Sequence, residues 1–168
     1  SAGCELLMMG VESGSQELLD RHRKGLRLEQ VRRAFEMCRR KGVRTLATFI
    51  VGLPGETRQS FEATVGLALE LEPDFASFNL PVAKPLTPLR REAEAQGWLS
   101  TKGGDQSQAA NFTAGHLSPE KLREWQAEAR RRFYLRPSYL LRRLSGIAYP
   151  GELIINLQEA WAMLGRDG

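Results

Sequence analysis

Three short apolar runs, separated by two amphipathic stretches, constrain the fold of this chain more than any other feature of its sequence. The runs cover residues 5–11, 43–51 and 74–80 and have the length and side-chain types of strands. The stretches between them place apolar side chains three and four residues apart, as helices do: Leu28, Val31, Phe35 and Cys38 in the first, and Phe61, Val65, Ala68 and Leu71 in the second. Short links from strand to helix to strand favour right-handed crossovers. The sequence therefore predicts an α/β fold with a parallel sheet, whose first strand is buried on both faces.

Local signals predict where these helices begin and end. Ser13 and Gln16 have the spacing of a capping box, with Ser13 as the N-cap of a short first helix. Gly42 is suited to end the next helix, and Thr57 is suited to cap the one after it.

The last third of the chain has a different pattern. Residues 101–117 are polar and rich in glycine, as linkers are. Ser118 precedes a proline and a glutamate, which predicts the start of a helix. That helix carries one apolar face, formed by Leu122, Trp125, Ala129 and Phe133. A final helix is predicted over about residues 151–164. We expect residues 1–100 to form one domain, and residues 101–168 to form a linker and a helical extension that packs on it.

The composition excludes several classes of protein. At 42% hydrophobic and 26% charged residues, the chain can form a core. Cys4 and Cys38 are its only cysteines, so it is no disulfide scaffold. We assign no metal ligand and no catalytic residue. No apolar run has the length of a membrane span and no signal peptide is evident, so a cytoplasmic protein is expected.

The net charge of the chain is +4, and two blocks of the sequence are strongly basic. Residues 21–44 hold ten Lys and Arg against two Glu, and residues 118–144 hold eight against three acidic residues. Basic blocks can bind nucleic acid. They can also be the solvated faces of amphipathic helices. We favour the second interpretation, because these residues alternate with a regular apolar period and form no aromatic platform for bases.

The candidate site lies where the strands end. Ligands of parallel α/β proteins meet the carboxyl ends of strands, which here are residues 10–14, 52–57 and 80–81. Glu12 directly follows an apolar strand and needs hydrogen-bond donors, which a ligand can supply, or a structural partner such as Lys24 or Arg44. The loop after the second strand is no Walker motif. His22 and His116 are expected to be exposed.

These residues resemble those of a known family. Gly-Val-Glu-Ser-Gly-Ser-Gln at 10–16, Lys-Gly at 24–25 and Phe-Ile-Val-Gly-Leu-Pro-Gly-Glu-Thr at 49–57 are together similar to the second half of a radical S-adenosylmethionine (SAM) barrel. Phe-Tyr-Leu-Arg-Pro-Ser-Tyr at 133–139 resembles a segment of the cobalamin-binding radical SAM subgroup. The resemblance implies a partial, TIM-like (β/α)6 barrel, of which this chain would hold the last three strand–helix units.

The resemblance also implies cofactors and partners. They are SAM, a four-iron four-sulfur cluster whose ligands would lie upstream of this chain, and cobalamin in some members. The partners would be a small-molecule substrate, the remainder of the barrel, a cobalamin-binding domain, and an electron donor such as flavodoxin or ferredoxin. The parent enzyme would generate a 5′-deoxyadenosyl radical for methyl transfer or other radical chemistry, and this chain alone would be inactive.

The resemblance assigns seven residues to SAM binding: Glu12, Ser13, Lys24, Thr48, Ile50, Gly52 and Pro81. Glu12 would contact the polar groups of SAM, and Lys24 its ribose or carboxylate. Thr48 and Ile50 would face the adenosine, and Gly52 would let the backbone approach the adenine ring.

The sequence departs from the family pattern at two points. The Cys-x3-Cys-x2-Cys loop that holds the cluster is absent, so we expect the chain to be part of a larger enzyme. Leu86 stands where the family commonly has glycine in Pro-Gly-Thr-Pro, which puts the role of that loop in question. Two alternatives to the enzyme stay open: a non-catalytic α/β scaffold that binds a protein partner, and a basic module that binds nucleic acid.

Overall fold

A computed structural model describes residues 3–99 and 117–145 of the chain. The predicted helix over 151–164, His116 and most of the predicted linker lie outside these residues. The described elements, in chain order, are β1 (Leu6–Glu12), α1 (Gln16–Arg21), α2 (Leu28–Arg40), β2 (Arg44–Ile50), α3 (Arg58–Leu71), β3 (Phe75–Asn79), α4 (Pro88–Ala95), α5 (Pro119–Tyr134) and α6 (Pro137–Ser145).

The three strands form a parallel sheet in the order β1-β2-β3. In its register, Gly10 lies opposite Thr48, and Thr48 lies opposite Ser77. The predicted α/β fold class with a parallel sheet is confirmed, as is the helical C-terminal part. Among the described residues the sheet does not close into a barrel.

Among the residues that the structure describes, one face of the sheet carries the core. Helix α2 packs on β2, α5 packs on β3, and α3 contacts both helices. The buried strand residues on this face are Val11, Ala47, Phe49, Ala76 and Phe78. The opposite face holds Thr48, Ile50 and Ser77, which are half-buried, and Met8, whose exposed fraction is 67%.

The prediction that the first strand is buried on both faces is wrong. Val11 is the one buried residue of β1, because β1 is an edge strand whose second face is not covered by any described residue. An apolar run indicates that a strand can be buried, but the neighbouring elements decide whether it is.

Most of the predicted helix signals are confirmed. Thr57 caps α3 in a capping box with Ser60, and Ser118 caps α5, with proline at the first helical position. The predicted apolar faces of α3 and α5 are buried throughout. The N-cap of α1, however, is Ser15 and not Ser13. Helices α4 and α6 were not predicted.

Helix α5 also occupies the outer edge of β3. The Tyr134 hydroxyl accepts from the Ala76 backbone N–H at 3.1 Å and donates to the Ala76 carbonyl oxygen at 2.6 Å. Gln126 Nε2 donates to the Phe78 carbonyl oxygen at 2.7 Å. These side chains satisfy backbone groups that a neighbouring strand would otherwise satisfy. The sheet therefore cannot be extended by a further strand beside this part of β3.

Replacing Tyr134 with phenylalanine tests this account of the β3 edge. Tyr134→Phe leaves a buried donor and acceptor of Ala76 without their partner, so we expect a loss of about 1–3 kcal/mol in the free energy of unfolding. The Ala76 amide should also exchange faster with deuterium. Tyr139→Phe is the matched control, because the Tyr139 hydroxyl donates to the Asp74 carbonyl and not to the Ala76 peptide. Unchanged Ala76 protection in Tyr134→Phe would contradict the account.

Candidate functional site

The carboxyl end of β1 turns sharply at Glu12. The register between β1 and β2 shifts between Gly10 and Glu12, which is a β-bulge, and Glu12 has a positive φ of 70°. Its side chain folds back over Gly10, since a Cβ on Gly10 would lie 3.1 Å from Glu12 Oε1 and 3.8 Å from Thr48 Oγ1. Bulges and strained backbone concentrate at functional sites. The absent side chain of Gly10 thus leaves room for the Glu12 carboxylate beside the Thr48 hydroxyl.

Lys24 faces this carboxylate. Lys24 Nζ lies 3.8 Å from Glu12 Oε1, and both side chains remain partly exposed, at 32% and 23%. The alternative structural partner, Arg44, instead lies 3.8 Å from Glu5. A carboxylate and an ammonium that are both reachable from solvent can each receive a complementary ligand group.

The loop that carries Lys24 is held by side chains that the sequence analysis did not assign to the site. Gln16 Nε2 donates to the Leu26 carbonyl at 2.9 Å, and Gln16 Oε1 accepts from Leu28 N at 3.1 Å. The His22 ring is within hydrogen-bond distance of the Pro54 carbonyl, at 2.9 Å between Nε2 and O. His22 is half-buried, so its predicted full exposure is wrong. Gln16 and His22 together tie the Lys24 loop to α2 and to the loop after β2.

Thr48 and Ile50 lie on the open face of the sheet. They are two residues apart on β2, so their side chains share one face, and both are half-buried. Thr48 Oγ1 is 3.5 Å from the Met9 carbonyl. The structure therefore brings four of the predicted residues to one end and one face of the sheet: Glu12, Lys24, Thr48 and Ile50.

Ser13 does not offer its side chain to this site. It is fully buried, and its hydroxyl lies 3.2 Å from Thr64 Oγ1 of α3. Thr64 also accepts from Gly14 N at 2.9 Å. A Cβ on Gly14 would overlap the backbone of Ala63. Ser13 and Gly14 thus fix the turn after Glu12 against α3.

Gly52 lies in the loop after β2, where α5 packs against it. Its φ of 95° favours glycine, but the place of a side chain is taken by Leu122 of α5 and is not open to a ligand. Glycine is required here because α5 packs closely against the loop. Pro81 is buried as well, in the segment after β3. This geometry supports no direct ligand contact at the side-chain positions of Ser13, Gly52 or Pro81.

Glu56 is a buried carboxyl group that the sequence analysis did not single out. Its exposed fraction is 0%, one carboxylate oxygen accepts from Gly52 N, and Oε1 is buried without a hydrogen-bond partner among the described residues. Burial raises the pKa of Glu56 to about 7, although the backbone of Gly52 and Leu53 opposes the rise. The sequence signal that could have found this group is a glutamate four residues after a glycine in a tight loop.

The basic blocks take part in contacts between helices. Arg32 Nε lies 2.6 Å from Glu70 Oε1, and Arg132 Nη1 lies 2.7 Å from Glu62 Oε2. The hydrogen bond from Arg132 lowers the pKa of Glu62, and that from Arg32 lowers the pKa of Glu70. This agrees with the interpretation that the cations line solvated helix faces.

Comparison with known proteins shows what the chain is similar to. The family model described as the radical SAM superfamily matches residues 1–68. This part of the chain resembles part of a radical SAM domain. The matched residues include β1, β2 and the four residues that the structure gathers at the end of the sheet.

Two relatives extend the similarity to known proteins along the chain. An uncharacterised methyltransferase of Pyrococcus horikoshii is 31% identical over 142 residues, which are 83% of this chain and 31% of that protein. An anaerobic magnesium-protoporphyrin IX monomethyl ester cyclase of Cereibacter sphaeroides is 33% identical over 95 residues, 56% of this chain and 16% of that protein. The chain therefore spans less than a third of the length of each.

A solved structure supports the same family. It is the radical S-adenosylmethionine methyltransferase TsrM of Kitasatospora setae, with cobalamin and a 4Fe–4S cluster bound. The TM-score is 0.50 at 25% identity, covering 79% of this chain and 26% of TsrM. The resemblance to the cobalamin-binding type of radical SAM protein is thus confirmed.

No helix among the described residues is long and apolar enough to cross a membrane.

The chain should show a pH-dependent stability that depends on Glu56. Its pKa rises from an ordinary value of 4.5 to about 7 on folding. Between these values the folded chain keeps a proton that the unfolded chain has released, so stability falls as pH rises, by on the order of 3 kcal/mol in total. Glu56→Gln removes this titration. Urea unfolding should therefore show the variant gaining stability relative to wild type from pH 5 to pH 8.

Glu62→Gln is the matched control for the Glu56 experiment. The pKa of Glu62 is lowered by Arg132, so Glu62 is charged in both folded and unfolded chains over most of that pH range. The difference in free energy of unfolding between Glu62→Gln and wild type should change little between pH 5 and pH 8. If the same difference for Glu56→Gln is equally constant, the Glu56 carboxyl does not titrate as described.

Proposed function

We propose that this chain supplies the SAM-binding half of a radical SAM enzyme, through the group formed by Glu12, Lys24, Thr48 and Ile50. The observation that carries the proposal is the Glu12 carboxylate, held over Gly10 at the carboxyl end of β1 with Lys24 beside it. The radical SAM family match includes all of these residues.

The chemistry of the residues fits the parts of SAM. Glu12 can accept from ribose hydroxyls or from the ammonium of the methionine part, and Lys24 can pair with the methionine carboxylate. Thr48 and Ile50 offer a hydroxyl and an apolar surface on one strand, which suits an adenosine. Both charged side chains are partly exposed, so a ligand can insert between them or replace one contact with another.

The enzyme as a whole requires groups outside the described site. A four-iron four-sulfur cluster, when bound, supplies the electron that cleaves SAM to methionine and a 5′-deoxyadenosyl radical. Cys4 and Cys38 are the only cysteines of the 168 residues. Two thiolates are too few for a cluster held by three, so we propose that the ligands lie in another segment of the parent protein.

Similarity to cobalamin-associated relatives extends the proposal. TsrM has cobalamin bound, and the relative from Pyrococcus horikoshii is named a methyltransferase. We therefore propose methyl transfer as the reaction class of the parent enzyme, with cobalamin in a further domain. The cyclase relatives support other radical chemistry as the alternative. A small-molecule substrate and a flavodoxin- or ferredoxin-type electron donor complete the proposal, and the compartment is proposed to be the cytoplasm.

Glu12→Gln tests the proposed SAM site in a protein that includes the cluster-binding segment. Loss of a charge-assisted hydrogen bond should weaken SAM binding about 10- to 100-fold, measured by calorimetry, and should slow formation of 5′-deoxyadenosine. Glu17→Gln is the matched control, since Glu17 is an exposed residue of α1. Equal SAM affinity in both variants, with both folded, would remove Glu12 from the site.

The cluster assignment is tested on the chain of 168 residues. Cys4 is exposed and Cys38 lies in α2, so no tight loop of cysteines is formed by the described residues. After anaerobic reconstitution with iron and sulfide, we expect no stoichiometric cluster and no 5′-deoxyadenosine. The measurements are iron and sulfide content and visible absorbance. About four of each per chain would contradict the proposal that the ligands lie elsewhere.

A further inference from the structure

Leu86 combines two properties that rarely occur together. Its backbone is in the left-handed region, with φ at 65°, and its side chain is 94% exposed. A left-handed backbone raises the free energy of a residue with a Cβ. The exposed Leu86 side chain buries too little apolar surface to offset this. Leu86 lies in the segment between β3 and α4, which leaves the carboxyl end of the sheet.

The surrounding hydrogen bonds hold Leu86 in this conformation. Thr87 donates from its hydroxyl to the Lys84 carbonyl at 2.7 Å and accepts from Arg90 N at 3.2 Å as the N-cap of α4. Thr87 N also bonds to the Lys84 carbonyl at 3.3 Å. The turn is therefore closed on both sides of Leu86. Strain that is fixed by its surroundings in this way is a feature of ligand sites.

Leu86 borders an open cavity of about 340 Å³, lined by Pro85, Leu86, Arg90, Arg91 and Glu94. This volume is within the range of small-molecule sites. Its apolar lining residues are Pro85 and Leu86. Its charged lining residues, Arg90, Arg91 and Glu94, belong to α4.

The charge of the cavity is positive. Arg90 Nε lies 2.6 Å from Glu94 Oε1, so this pair is mutually neutralised. Arg91 forms no ion pair with any residue that the structure describes, and it is exposed. A guanidinium without a carboxylate partner can bind an anionic group through two parallel hydrogen bonds.

We propose that this cavity binds a small molecule that carries an apolar chain and a carboxylate. The apolar part lies against Leu86 and Pro85, and the carboxylate pairs with Arg91. Leucine in place of glycine extends the apolar wall of the cavity, which gives a reason for the strained backbone. That such a molecule is the substrate of the radical reaction rests on the proposed function, but its binding does not.

Three ligands with the same eight-carbon chain distinguish the two parts of the site: octanoate, octan-1-ol and octylamine. Each is titrated into the isotopically labelled 168-residue chain, and amide chemical shifts are followed by NMR. Octanoate should shift the amides of residues 85–94 with a dissociation constant at least fivefold lower than that of octan-1-ol. Octylamine should bind more weakly still. Equal responses to the three ligands, or no response at residues 85–94, would overturn the proposal.

Leu86→Gly separates binding from folding. Glycine relieves the left-handed backbone, so the thermal midpoint should not fall, while octanoate affinity should fall at least fivefold. Arg91→Gln should abolish the preference for octanoate over octan-1-ol. Leu141→Ala is the control, because Leu141 is an exposed leucine, at 65%, on the distant helix α6. Wild-type octanoate affinity in Leu86→Gly would show that the leucine is no part of a site.

These measurements are independent of the SAM site. Octanoate binding tests the cavity beside α4, whereas the SAM affinity of Glu12→Gln tests the site at the end of β1. Loss of one response leaves the other unaffected, so failure of the cavity proposal is distinguishable from failure of the proposed function.

Discussion

The contact of α5 with β3 determines much of the remaining structure. The apolar face of α5 completes the core against the sheet, and Phe133 packs edge-on against Phe78 with ring centroids 6.3 Å apart. Tyr134 satisfies the peptide groups at the outer edge of β3. Leu122 occupies the space that a side chain at Gly52 would need, in the loop that follows β2. Leu122 follows Gly52 by 70 residues in sequence, so a distant helix shapes the loop at the carboxyl end of β2. A substitution on the inner face of α5 would therefore disturb the loop beside the candidate SAM site without contacting a ligand.

The candidate site depends on two glycines that make room for different atoms. Gly10 leaves space for a carboxylate, whereas Gly14 lets the chain approach the backbone of α3. Between them Glu12 adopts a left-handed backbone and Ser13 is anchored to Thr64. The backbone of the turn that carries Glu12 is therefore fixed on both sides. Preorganisation of this kind reduces the entropy lost when a ligand is bound.

The sequence predicted those features that depend on local periodicity. The faces of α2, α3 and α5 each repeat an apolar side chain over several turns, so their burial and most of their caps could be derived. Contacts between distant residues could not. Ser13 resembles an N-cap, but its hydroxyl is engaged by Thr64, 51 residues away, and Ser15 caps the helix instead. Glu12, Lys24, Thr48 and Ile50, which the family resemblance assigns to SAM binding, lie together at one end of the sheet. The sequence could not show that Leu122 packs against Gly52, because the neighbour of a glycine is set by tertiary packing.

The two edges of the sheet differ in a way that governs how copies of this chain can associate. Among the described residues, α5 engages the peptide groups of Ala76 and the Phe78 carbonyl on β3, whereas Leu6, Leu7 and Met8 of β1 are exposed. In this part of the chain, a further strand could therefore pair only beside β1. If two copies paired there about a twofold axis, neither would offer another edge, and the pair would be closed. A sheet with two free edges could instead grow without limit into a fibre.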